Sequence, residues 1–230
     1  MSSNLGTVLK SSIFRKQVSA LTGLALVGFV LAHLAGNLLI FAGPEAFNEY
    51  AHQLQTLGHG KLVWVMRLGL LGMFFIHIGV TFALVRENIK ARATRYDVVK
   101  SHGNRKFATQ AMRYTGIMIL LFIFLHLKDF TFGDKTGANT LVDGESLGLF
   151  GLVWNSFHYW PRNIIYILAV SSVGLHLTHA IQSVCQTFGL NHDRYTPLIK
   201  KLSLAVGILV ALVFSAIPIF VALASKPFGV

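Results

Sequence analysis

The 230-residue chain holds one cysteine (Cys185), nine acidic residues and five prolines. A single thiol allows no internal disulfide, no thiolate-rich zinc or iron–sulfur site and no C-x-x-C-H haem attachment. Charged residues are equally scarce, 13% against 53% hydrophobic. That balance is too apolar for a water-soluble domain and suits a chain threaded repeatedly through lipid. The formal net charge of +11 does not mark a nucleic-acid binder, because no compact basic region with interleaved aromatics is present. The Lys and Arg residues fall between apolar runs, where they set topology. No internal repeat or low-complexity tract stands out.

What is present is a set of long apolar runs. Five segments approach or exceed the roughly 20 residues needed to cross a ~30 Å hydrocarbon core: residues 17–41, 62–85, 111–130, 164–184 and 202–224. The expectation is one all-α membrane domain over residues 1–230. The first run follows Lys10, Arg15 and Lys16 as a signal peptide would, but it is long enough to span and lacks a clear cleavage site, so it reads as a helix of the mature protein. The third run meets Lys128 and Asp129 at its end, where a long lysine can snorkel to the headgroups. Pro218 is expected to bend the fifth run without ending it.

Basic residues orient these spans. Three precede the first run, eight lie between the second and third, and three between the fourth and fifth, against five on the other side, which also carries most of the acids. The positive-inside rule then puts the N-terminus in the cytoplasm and the C-terminus outside. "GLFGLVWNSFHYWPRN", with Trp154, Phe157, Tyr159 and Trp160, reads as an aromatic belt at the outer interface. The basic stretch from Arg86 to Arg113 either enforces topology and attracts anionic lipid or, around Arg92 and Arg95, forms a landing surface for a soluble partner.

Four spans carry a histidine well inside: His33, His77, His126 and His176. One such residue alone would read as an interhelical hydrogen bond. Four show a pattern of depth: at 1.5 Å per residue, His33 and His126 lie about 22 Å above the cytoplasmic ends of their helices, and His77 and His176 about 13 to 15 Å. Two imidazoles at one depth on facing helices are what a bis-histidine haem requires, and two levels predict two stacked haems. With both axial positions filled, oxygen chemistry has no open site and electron transfer remains. By depth alone His179, one turn after His176, pairs equally well with His77. His52, His59, His102, His158 and His192 fall in loops or at interfaces, where a solvated or packing role is expected.

These residues fall in short motifs, one per span: "HLAGN" with "GPEAFNEYAHQLQTLG", "FFIHIGVTF", "RYTGIMILLFIFLHL" and "HLTHAIQSVCQTFG". In this order, over nearly the whole chain, they resemble the single-polypeptide, five-helix, di-haem cytochrome b anchor of bacterial succinate:quinone oxidoreductases, the succinate dehydrogenases and fumarate reductases known as complex II. The resemblance implies that His33 and His126 hold an outer haem b and His77 and His176 an inner one, and its spacing from His176 to Gly189 favours His176 over His179. It also implies a bacterial cytoplasmic membrane, a quinone, first of all menaquinone, and a docked iron–sulfur subunit and flavoprotein subunit that carry the clusters and FAD. The complexes are open to further association.

Two positions depart from that pattern. Where menaquinone-linked members have an acid after the outer "AH" element, this chain has Gln55, which takes no proton at neutral pH; Glu49 and Gln55 are the quinone-site candidates. A family glutamate two residues before the fourth-span ligand is Gly174 here. Ser19, Arg113 and His179 are candidate contacts to haem propionates, against the plainer readings that Ser19 bonds its own helix and Arg113 marks the interface. Arg67 is a costly charge within a span that snorkelling would relieve. Eight span glycines, Gly23, Gly28, Gly36, Gly69, Gly72, Gly79, Gly116 and Gly174, are expected to admit close approach of helices or porphyrins, and Cys185 to pack inertly. The competing functions are the b-type anchor of a hydrogenase or formate dehydrogenase, a histidine-relay transporter, and a structural anchor without haem.

Overall fold

The computed structural model describes residues 11–91, 104–224 and 227, with residues 104–110 described as backbone alone. Its order is α1 (Ser12–Asn37), a 3-10 turn (Leu38–Ala42), α2 (Pro44–Thr56), α3 (Lys61–Lys90), α4 (Asn104–His126), a π-helical turn (Leu127–Thr131), a short two-stranded hairpin (Leu141–Val142 with Glu145–Ser146), α5 (Gly148–Phe157), α6 (Trp160–Thr187) and α7 (Thr196–Leu223). Five of these are long and apolar enough to span a bilayer: Ser12–Ala42, Lys61–Lys90, Ala111–Thr131, Trp160–Thr187 and Thr196–Leu223. The protein is thus an all-α membrane bundle, as its apolar runs predict.

Most of the helices outrun their apolar stretches toward the headgroup zone. The Ser11 hydroxyl accepts from the Phe14 amide at 3.1 Å and starts α1 ahead of Gln17. Pro161 and Pro197 stand in the first turns of α6 and α7, where no intrahelical donor is lost. Pro218 is buried within α7 and the helix continues to Leu223.

The spans are adjacent in the order α3, α1, α6, α4, with α7 packed along α6. Consequently α1 and α4 are second neighbours, and so are α3 and α6. The closest crossing joins α6 to α7: a Cβ on Gly174 would stand 2.4 Å from the Gly207 carbonyl oxygen, and one on Gly207 would stand 2.5 Å from that of Gly174. No glutamate fits where the resembling family has one.

The larger buried cluster lies at one end. Ile40, Phe47, Phe150, Trp154, Phe157, Tyr166, Ile217 and Val221 form one buried cluster, joining α2 and α5 to the ends of the spans. The expected aromatic belt is therefore corrected: Trp154 and Phe157 are core residues, and only Tyr159 and Trp160 are exposed. A helix as apolar all round as α5 is buried on every side rather than laid at an interface. Asn48 of α2 fastens it, donating to the Leu147 carbonyl at 2.9 Å and accepting from the Phe150 amide at 3.0 Å. The expected landing surface at Arg92 and Arg95 lies outside the described residues, as do His102, Lys10 and Lys226.

Candidate functional site

The four span histidines occupy α1 (His33), α3 (His77), α4 (His126) and α6 (His176). Equal depth therefore selects second-neighbour helices: α1 faces α4 at the outer level and α3 faces α6 at the inner one. Both pairs cross the same interior.

At the inner level each imidazole rests on the helix beside it, in one repeated arrangement. His77 Nδ1 lies 3.1 Å from the Ser19 carbonyl oxygen and 3.2 Å from Thr22 Oγ1 on α1, and a Cβ on Gly23 would stand 3.1 Å from its Cε1. His176 Nδ1 lies 3.1 Å from Thr115 Oγ1 on α4, the Met112 backbone hydrogen-bonds the same ring, and a Cβ on Gly116 would stand 3.7 Å from its Cε1. Carbonyl at i−3, hydroxyl at i and glycine at i+1 recur on both helices. The two Thr-Gly dipeptides, "LTGL" and "YTGI", are the sequence trace of this repeat, too short to be read as one without the structure.

This cradle fixes the tautomer. Each threonine hydroxyl has one proton and gives it to its own helix, Thr22 to the Val18 carbonyl and Thr115 to the Ala111 carbonyl, both at 2.8 Å. Toward the imidazole it can only accept, as can the Ser19 carbonyl, so Nδ1 carries the hydrogen and Nε2 keeps a free lone pair. That is the ligand form of histidine, with the second nitrogen bonded outward to orient the ring.

The outer level is built from rings. The His33 and His126 centroids are 5.7 Å apart with planes at 89°, Phe29 stacks on His33 at 5.4 Å, and Phe122, Phe130 and Tyr166 surround His126 at 5.5 to 6.2 Å. The "HLAGN" motif acquires a reason here. Asn37 Nδ2 bonds the His33 carbonyl at 2.7 Å, and the Tyr50 ring lies where a Cβ on Gly36 would come within 2.6 Å of it.

These residues suit a porphyrin with two axial imidazoles. Imidazole nitrogens bind first-row metal ions at about 2.0–2.1 Å, so two rings facing one atom stand with centroids roughly 6 Å apart. The outer pair is at that spacing. Arg113 Nε is buried without a hydrogen-bond partner, and an orphaned buried donor costs about 1–3 kcal/mol until something such as a propionate accepts from it; His126 Nδ1 is likewise buried without a partner. Among the described residues no group of three or more His, Cys, Asp or Glu is placed to hold a bare metal ion, whereas a porphyrin needs only two protein ligands.

The remaining sequence candidates fall as follows. Ser19 reaches the inner level through its carbonyl rather than its hydroxyl. Arg113 is half-buried two residues before Thr115, and His179 is half-buried one turn beyond His176 and within electrostatic range of it. Glu49 and Gln55 are both exposed on α2, with Glu49 accepting from Gln53 at 2.8 Å. Arg67 is exposed, its guanidinium 5.1 Å from the Trp64 ring centroid. Close protein approach is seen at Gly23, Gly36, Gly116 and Gly174, whereas a Cβ on Gly28, Gly69, Gly72 or Gly79 would meet no protein atom within 4 Å. His52, His59, His158 and His192 are exposed, and Cys185 is a half-buried free thiol. Thr22, Thr115 and the buried Asp129 are site residues that the sequence reading passed over.

Fold and paired imidazoles together describe an all-α membrane protein whose interior holds two candidate bis-histidine sites. The chain is 25% identical over 201 residues to the succinate dehydrogenase cytochrome b558 subunit of Bacillus subtilis (strain 168), a match that covers 87% of this chain and 90% of that protein. The resemblance read from the motifs to a cytochrome b anchor of complex II thus extends over most of both chains. No protein-family model and no solved structure matches the chain.

Proposed function

We propose that this chain is the di-haem cytochrome b anchor of a succinate:quinone oxidoreductase in a bacterial cytoplasmic membrane. It passes electrons between an iron–sulfur subunit docked at the cytoplasmic face and a quinone in the bilayer, menaquinone in the first instance, with FAD and the iron–sulfur clusters held by partner subunits. The observation that carries this reading is the pairing of histidines on second-neighbour helices at two depths, with the inner pair held in the tautomer that leaves Nε2 free. The similarity to a succinate dehydrogenase subunit supports the choice of partner enzyme over a hydrogenase or formate dehydrogenase.

A haem b at each level would supply one-electron redox chemistry, and two stacked levels would span the hydrocarbon core. The chain's own contribution is positional. His33 and His126 would hold the outer group, enclosed by Phe29, Phe122 and Phe130, which keep water away. His77 and His176 would hold the inner group, each ring oriented through Nδ1 by a threonine on the helix beside it. Arg113, with its unpartnered buried Nε, supplies a donor suited to a propionate, and His179 lies near enough to His176 to serve the same end. With the N-terminus cytoplasmic, the basic segments flanking α3 and α4 face the soluble subunits.

The test is a dithionite-reduced minus oxidised spectrum of the purified chain, with haem counted per polypeptide by the pyridine haemochrome method. Two low-spin b haems are expected. A colourless but folded protein would overturn the electron-transfer reading and favour the histidine relay, and co-purification with hydrogenase or formate dehydrogenase subunits would reassign the partner.

A further inference from the structure

Beside the outer histidine pair lies an ion pair, with its carboxylate buried and its guanidinium one-third exposed, that the electron-transfer reading does not use. Asp129 sits in the π-helical turn that follows His126 and is 9% exposed. The wider turn takes the carboxylate inward, while the adjacent Lys128 is exposed. Asp129 Oδ2 accepts from the Tyr166 hydroxyl at 2.9 Å and pairs with Arg162 Nε at 3.3 Å. The Tyr166 ring centroid lies 6.2 Å from that of His126. Carboxylate, phenol and imidazole therefore form one contiguous chain, with the guanidinium on its solvent side.

That solvent side is a pocket of about 280 Å³ lined by Lys128, Asp134, Asn155, Ser156 and Arg162. The charged groups facing Asp129 are thus Arg162 from α6 and, across the pocket, Lys128 and Asp134. Asp134 is committed to its own turn, its Oδ1 accepting from the Thr136 amide, the Thr136 hydroxyl and the Gly137 amide at 2.9 to 3.1 Å. Lys128 is solvated. The poorly screened charges on this side of the outer pair are Asp129 and Arg162, and a charge in a low-dielectric interior acts far more strongly than the same charge in water.

We propose that the Arg162–Asp129–Tyr166 cluster sets the reduction potential of the redox group held by His33 and His126, and leaves that of the inner pair unchanged. The carboxylate favours the oxidised, more positive state. The guanidinium opposes it, and the tyrosine hydroxyl holds the carboxylate in place. The inference rests on the two-haem reading above, and these are positioning residues: Tyr166 touches the ligand His126, and Asp129 and Arg162 act through it and through their charge.

The experiment is a redox titration of the full chain carrying its haems, each haem followed by its own spectrum, with the His33→Leu protein identifying the inner signal. Asp129→Asn is expected to raise the outer potential and Arg162→Gln to lower it, each by a roughly three- to tenfold change in the electron equilibrium, where tenfold is about 59 mV for one electron. Arg162→Lys keeps the charge and is expected to restore the outer potential toward that of the unaltered protein. If Asp129→Asn does not fold, the two Arg162 variants carry the test, since that side chain is one-third exposed. Shifts of the same sign in Asp129→Asn and Arg162→Gln, an unmoved outer haem, or equal shifts in both haems would overturn the proposal alone. A chain that binds no haem would overturn the electron-transfer reading and the proposal with it.

Discussion

The two histidine levels solve one problem by opposite means. The inner imidazoles are held by hydrogen bonds, each to a threonine hydroxyl on the helix beside it and to backbone one turn earlier. The outer imidazoles are held by rings, with His33 stacked on Phe29 and His126 enclosed by Phe122, Phe130 and Tyr166. A hydrogen bond fixes both the rotation and the tautomer of a ring, whereas packing fixes its position and leaves the tautomer to whatever it ligates. The polar network at the outer level stands one layer away, at Asp129, Tyr166 and Arg162. The inner level is thus preset, and the outer level is enclosed.

The largest effect expected from breaking this comparison is all-or-none. His33→Leu and His77→Leu should each reduce the haem count from two to one per chain, losing different spectral components, as read by pyridine haemochrome and low-temperature spectra. Loss of both haems in either variant would show that the levels are not independent.

Removal of the inner hydrogen bonds should come next. Thr22→Val and Thr115→Val take away one of the two acceptors at each imidazole N–H at nearly constant volume, and loss of such a partner to a metal ligand costs up to about 10- to 100-fold in affinity. The inner haem alone should transfer faster to excess apomyoglobin, and Thr22→Ser and Thr115→Ser should restore its retention. Equal loosening of the outer haem would contradict the division drawn here.

A smaller and graded effect is expected within the inner level. The Cβ of Gly23→Ala would stand 3.1 Å from His77 Cε1, while that of Gly116→Ala would stand 3.7 Å from His176 Cε1. The first must displace the ring by a few tenths of an ångström and should shift the inner haem spectrum. The second is ordinary van der Waals contact and should leave the spectrum unchanged.

The smallest effect concerns the turn that flanks the outer pocket. The Thr136 amide and hydroxyl and the Gly137 amide hold the Asp134 carboxyl below its ordinary range. A depressed folded pKa stabilises the turn above the ordinary carboxylate value, and that contribution is lost as pH falls through the folded value. The protection of the Thr136 and Gly137 amides, relative to intrinsic exchange at the same pH, should therefore fall in acid. Asp134→Asn should show the reduced protection already at neutral pH, with no further loss of protection in acid.

Much of the bundle was legible because lipid permits few solutions. Long apolar runs can only be helices there, so the five spans and the depths of His33, His77, His126 and His176 follow from counting residues. Other features were not legible because they depend on contacts distant in sequence. Trp154 and Phe157 read as an interfacial belt, since composition does not reveal that α2 covers α5 through Asn48. Asp129 read as the wet end of a span, because the π-helical turn that carries it inward has no periodicity signal. Thr22 and Thr115 are unremarkable residues until α3 and α6 are seen to lay a histidine against each.

The sequence by itself determined that five segments are long and apolar enough to cross a membrane and that four of them carry a histidine well inside. Burial of apolar length and the fixed rise of a helix are the reason. Only the tertiary structure decided which helices are adjacent, and with that how each histidine is held and where Asp129 lies. Adjacency is set by side-chain fit between helices, as where Gly174 meets Gly207, and that fit is a property of surfaces that no single segment contains.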